Sequence, residues 1–78
     1  MNDEQAAQRG REAAKALEVL EPVFDSMYLE AVDAIIAAET SDDVFRHKLY
    51  AQAIVRAQKT LRSYVLNGQA AEQLAAKQ

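Results

Sequence analysis

The sequence predicts an all-α fold, either a helical hairpin or a three-helix bundle. Three observations carry this. Apolar residues recur at alternating four- and three-residue spacing through two long stretches. Helix breakers are scarce, with two glycines and one proline among 78 residues. The one dense cluster of turn-forming residues, Glu39-Thr40-Ser41-Asp42-Asp43, lies between the two stretches.

In the first stretch the spacing runs Ala6, Gly10, Ala13, Leu17, Leu20, Phe24, Met27, Ala31, Ala34, Ala38, a heptad seam of more than four repeats. The seam passes through Pro22, which has no N–H to give the Glu18 carbonyl and crowds it. The first helix is therefore expected to kink sharply, or to end near residue 20 and restart with Pro22 in a new first turn. The central cluster supplies the start of the second helix. Thr40 or Ser41 can accept a hydrogen bond from the exposed N–H groups, and Asp43 stands at capping-box distance from Thr40. Asp42 and Asp43 also suit the positive end of a helix dipole. This second main helix is expected over about 42–66, ended by Asn67-Gly68 with glycine supplying a left-handed residue. Residues 69–78, rich in Ala and Gln, are expected as a short or frayed helical tail of a single domain spanning 1–78.

The second helix has a seam of its own, His47, Tyr50, Ile54, Ala57, Leu61, Tyr64, Gly68. Neither central helix is apolar on one side only. Leu29, Val32 and Ile36 form a second stripe roughly opposite Phe24-Met27-Ala31, and Phe45, Leu49 and Val55 lie off the second seam. A helix apolar on two faces is normally sandwiched between neighbours. A chain of 78 residues offers few neighbours, so these six residues are the candidate apolar interface of a homo-oligomer.

The net charge of −3 conceals a polarity along the chain. Residues 1–43 hold eleven acids and three bases, whereas residues 44–78 hold six bases and one acid. Arg46, Lys48, Arg56, Lys59 and Arg62 form a basic stripe on the second helix. Glu18, Glu21, Asp25, Asp33 and Glu39 form a complementary acidic face on the first. Pairing of the stripe with acids of a neighbouring helix is the favoured reading, and nucleic-acid phosphates are the alternative partner. Acidic and basic patches on separate outer faces predict heterologous contacts, which close into rings or run into filaments.

Several chemistries have little to work with. The absence of cysteine excludes disulfides and thiolate metal sites. His47 is the one histidine, and at a seam position it is expected to be a packed or edge residue. No Glu-x-x-His occurs, so a carboxylate-bridged metal site within a bundle is not expected. No cofactor and no enzymatic activity are predicted. The longest uncharged apolar run, Ala34 to Ala38, is far too short for a membrane span. With no secretory signal at Met1-Asn2-Asp3-Glu4, the expected location is a cytoplasm or an assembly built in one.

Arg9-Gly10 ahead of Ala13-Ala14, then Leu17, Leu20, Pro22-x-Phe24, Arg46-x-x-Leu49-Tyr50 and a late Gly68 form an ordered set. In this order the chain resembles the short all-helical proteins encoded in tailed-bacteriophage and prophage genomes near capsid and packaging genes. The resemblance runs from about Arg9 to Gly68 and brings no catalytic residues with it. It implies a virion-assembly setting, with the chain in the host cytoplasm or the virion. There small helical subunits serve as rings, adaptors or accessory components beside other virion or packaging proteins.

Overall fold

The computed structural model describes residues 2–77, so Met1 and Gln78 lie outside it, the latter at the end of the expected tail. Two helices make the fold: α1 (Asp3–Ala37) and α2 (Ser41–Ala76), packed side by side as an antiparallel hairpin. The described chain measures 59 × 20 × 13 Å.

Both helix starts are built by capping. Asn2 Oδ1 accepts from the Gln5 N–H at 2.8 Å, and the Asn2 N–H donates to Gln5 Oε1 at 3.4 Å, a reciprocal box at the head of α1. Thr40 Oγ1 accepts from the Asp43 N–H at 3.1 Å and caps α2, as its position predicts. The reciprocal half does not form, because the Asp43 carboxylate turns to Arg46 at 2.6 Å. Ala38, Glu39 and Thr40 connect the helices, with the Ala38 N–H donating to the Ile35 carbonyl at 3.3 Å.

Two expected endings are absent. The break at Pro22 does not occur: α1 is one 35-residue helix through that position, and the three-helix alternative falls with it. Pro22 is exposed, two residues from Leu20 and from Phe24 and thus on the side of α1 away from α2. Water can satisfy the carbonyl that the proline leaves unpaired, while the residues on either side keep their contacts with α2. A proline costs a helix about 3 kcal/mol, and tertiary packing along the whole seam outweighs that.

The second absent ending is at Asn67-Gly68. Gly68 has no left-handed backbone, α2 continues to Ala76, and residues 69–76 are helix rather than a frayed tail. Gly68 serves a different need. A Cβ on Gly68 would lie 2.7 Å from the Gly10 Cα, and one on Gly10 would lie 2.7 Å from the Gly68 Cα and 2.9 Å from the Tyr64 carbonyl oxygen. Here the two backbones touch, which only glycine permits.

The rest of the seam follows from that approach. Among the described residues, Ala7, Ala13, Ala31, Ala51, Ile54 and Ala71 are the buried apolar ones, and no side chain is fully shielded. Along α1 the expected seam is buried at Gly10, Ala13 and Ala31 and half-buried elsewhere, except that Leu20 is 38% exposed and Ala7 is buried beside Ala6. The α2 seam is rotated from the expected one: Ala51, Ile54, Gln58, Gly68 and Ala71 face α1, and Tyr50 is 49% exposed. Closely spaced helices admit small side chains at the centre and push bulky tyrosines to the edge. Buried Gln58 is satisfied there, its Nε2 donating to Asp25 Oδ1 at 3.1 Å.

Leucine at Gly68 should cost about 1–3 kcal/mol by forcing the backbones apart. Leucine at neighbouring, exposed Asn67 should change stability by less than about 0.5 kcal/mol. Thermal denaturation of the two variants compares them, and equal midpoints would contradict the close approach.

Candidate interaction surfaces

One flank of the hairpin gathers most of the sequence-predicted residues. On α1, Glu18, Glu21, Asp25, Tyr28, Val32 and Ile35 step by three and four and so share one side. On α2, Lys48, Gln52, Val55, Lys59 and Arg62 do the same. The helices are antiparallel, and cross-helix contacts fix their relative height. Arg62 pairs with Glu21, Gln58 donates to Asp25 one turn on, and towards the termini Arg11 meets Glu72 at 2.8 Å.

The acidic and basic residues are therefore not on separate outer faces, as the sequence led us to expect. Glu18, Glu21 and Asp25 form a stripe antiparallel to Lys48, Lys59 and Arg62, the two joined directly at Glu21–Arg62. Nearer the connection the α1 stripe turns apolar, and an open groove of about 770 Å³ lies on the flank. Tyr28, Val32, Ile35 and Val55 form its apolar lining, while Lys48, Arg56 and Lys59 bring positive charge to it. Among the described residues, no carboxylate lines this groove. Arg56 and Lys59 take part in no salt bridge among the described residues.

The remaining candidates lie elsewhere. Leu29 and Ile36 are 62% and 77% exposed on the side of α1 facing away from α2. Phe45 and Leu49 are exposed near the start of α2, apart from the half-buried groove residues Val32 and Val55. Arg46 is held by Asp43 within its own helix. Glu18, Asp33 and Glu39 are exposed and make no salt bridge among the described residues.

Sequence reasoning missed further exposed apolar residues: Val19, Val23, Leu66 and Leu74. The four-residue step from Val19 to Val23 was the available signal for the first two. The Arg9 guanidinium lies 5.1 Å from the ring centroid of Tyr64, a cation–π contact, and Tyr64 also lines the groove. His47 is half-buried beside the connection, lining a hollow with Ala34, Thr40 and Asp43. Among the described residues, no three His, Asp or Glu side chains gather in a way that could hold a metal ion. Nor is any helix long and apolar enough to cross a membrane.

The Glu21–Arg62 pair is 40% and 54% exposed at the two side chains, so water and salt screen it. Arg62→Gln should lower stability by less than about 1 kcal/mol, and that loss should vanish in molar salt. Chemical denaturation at low and high salt measures both, and a larger, salt-insensitive loss would show that the pair does more than align the helices. Compared with protein-family models, curated proteins and solved structures, the chain has no significant match in any of the three.

Proposed function

We propose that this chain is a non-enzymatic helical subunit that self-associates, serving as a virion-assembly or DNA-packaging accessory of a tailed bacteriophage. One observation carries the self-association. Among the described residues, eleven large apolar side chains are 38–77% exposed, while the seam between the helices is mostly alanine and glycine. A hairpin has one interface and can cover one side of each helix. Leu29, Ile36, Phe45 and Leu49 stand on other sides. Burying a large apolar side chain yields about 1.5–3 kcal/mol, so covering several of them between copies can drive a ring or another closed oligomer.

The phage setting rests on the ordered residues from Arg9 to Gly68 that resemble small helical proteins of phage genomes. In that setting the subunit works in the virion or the host cytoplasm, with copies of itself and other virion or packaging proteins as partners. Its task is structural, so no residue is assigned a catalytic role and no cofactor is required.

A nucleic-acid-binding or inhibitory module is the second reading. Lys48, Arg56 and Lys59 around a groove without carboxylates favour it. It is weakened by Arg62 and Arg46, which are engaged by Glu21 and Asp43.

Sedimentation of the purified chain at tens of micromolar should give a mass above the 8.6 kDa monomer. Ile36→Asp should reduce that mass while leaving helix content unchanged, because Ile36 contributes nothing to the seam. Leu61→Asp should lose helix content, because it puts a charge between α1 and α2. A wild-type monomer would contradict self-association, and equal effects of the two variants would contradict the assignment of faces.

A further inference from the structure

The geometry points to the occupant of the groove: a second copy of this chain, related by a two-fold axis parallel to the helices, so that two hairpins form a four-helix bundle. This inference rests on the self-association proposed above and adds to its outer residues, Leu29, Ile36, Phe45 and Leu49, a second contact surface on the flank with a symmetry of its own.

Charge and height along the helices select this occupant. The flank carries an acidic stripe on α1, Glu18, Glu21 and Asp25, beside a basic stripe on α2, Lys48, Lys59 and Arg62. A two-fold axis parallel to the helices exchanges left and right but leaves height along the helices unchanged. It lays α1 of one copy over α2 of the partner, and therefore Glu21 and Asp25 over Arg62 and Lys59, twice, with Lys48 at the far end of the apolar stretch. Since Asp25 is level with Gln58 in its own hairpin, it lies level with the partner's Lys59 as well. Between the charges, Tyr28, Val32, Ile35 and Val55 of one copy meet the same residues of the other. Their half-exposed surfaces become the centre of a four-layer cross-section.

Other arrangements use the flank less well. A two-fold perpendicular to the helices stacks α1 on α1 and α2 on α2, which brings the cations of the basic stripe over one another. A heterologous contact leaves one cationic groove open at each end unless a ring closes. Burying Lys59 against an apolar partner would leave its charge uncompensated. An occupant with a carboxylate at the height of Lys59 avoids this, and the chain's own α1 provides one in Asp25.

Charge reversal tests the arrangement. The chain has no cysteine to complicate association measurements, and Lys59 forms no salt bridge within the described chain. Lys59→Glu should weaken association at least about tenfold, since like charges facing each other cost several kcal/mol, with helix content unchanged. Adding Asp25→Lys in the same chain restores opposite charges at both symmetric positions and should recover most of the loss, the comparison being made with helix content and thermal midpoint matched to the single variant because Asp25 also accepts from Gln58. Equilibrium sedimentation of the wild type, the single variant and the double variant reads all three. A single variant that associates as tightly as the wild type would overturn the flank interface while leaving self-association to another face. A single variant that weakens without recovery in the double variant would overturn the two-fold. A monomeric wild type would remove both.

Discussion

The closeness of α1 and α2 governs everything else in this molecule. At Gly10 and Gly68 the backbones are in contact, and alanines line most of the seam on either side. Small side chains let two helices approach, but they remove little apolar area from water. The hairpin thus gains shape from its seam more than it gains hydrophobic stabilisation. Its larger apolar residues are displaced to the edges and outer faces, where the fold of one chain does not reach them. A thin seam and a greasy exterior are two consequences of one packing choice.

That choice also explains which features could be read from the sequence. The two helices, the cap at Thr40 and the seam of α1 were legible because each depends on local spacing or on a single hydrogen bond. Leu29 and Ile36 were recognisable as outward for the same reason, lying off the Phe24-Met27-Ala31 line. The α2 seam was misread because hydropathy favours Tyr50 over Ala51 and Gln58. Only the interhelical distance decides that order, and it is a tertiary property. Gly68 was misread for a related reason: one residue type serves both as a helix terminator and as a contact point for another backbone, and sequence does not separate the two uses. At Pro22 the local rule was sound but outweighed, because an exposed proline on the outer side disturbs no seam contact.

The charges show a similar division. Their segregation along the chain was plain from composition, but their arrangement in space was not. Antiparallel folding brings the acidic first half beside the basic second half, with Glu21 and Arg62 in direct contact. Exposed pairs of this kind add little stability. Their value lies in alignment: they set the register of one helix against another, and the same pattern can be read by another copy. The groove on this flank, with its apolar lining and cations, joins the two themes of uncovered surface and complementary charge.

If further copies cover what the seam leaves open, as proposed, the stability of the folded hairpin depends on its concentration. The most direct measurement is the thermal midpoint followed by circular dichroism over a dilution series of about a hundredfold. Association that stabilises the folded state raises the midpoint with concentration by mass action. The account predicts a midpoint that falls steadily on dilution. A midpoint that stays constant over that range would contradict it, because the hairpin would then be stable alone.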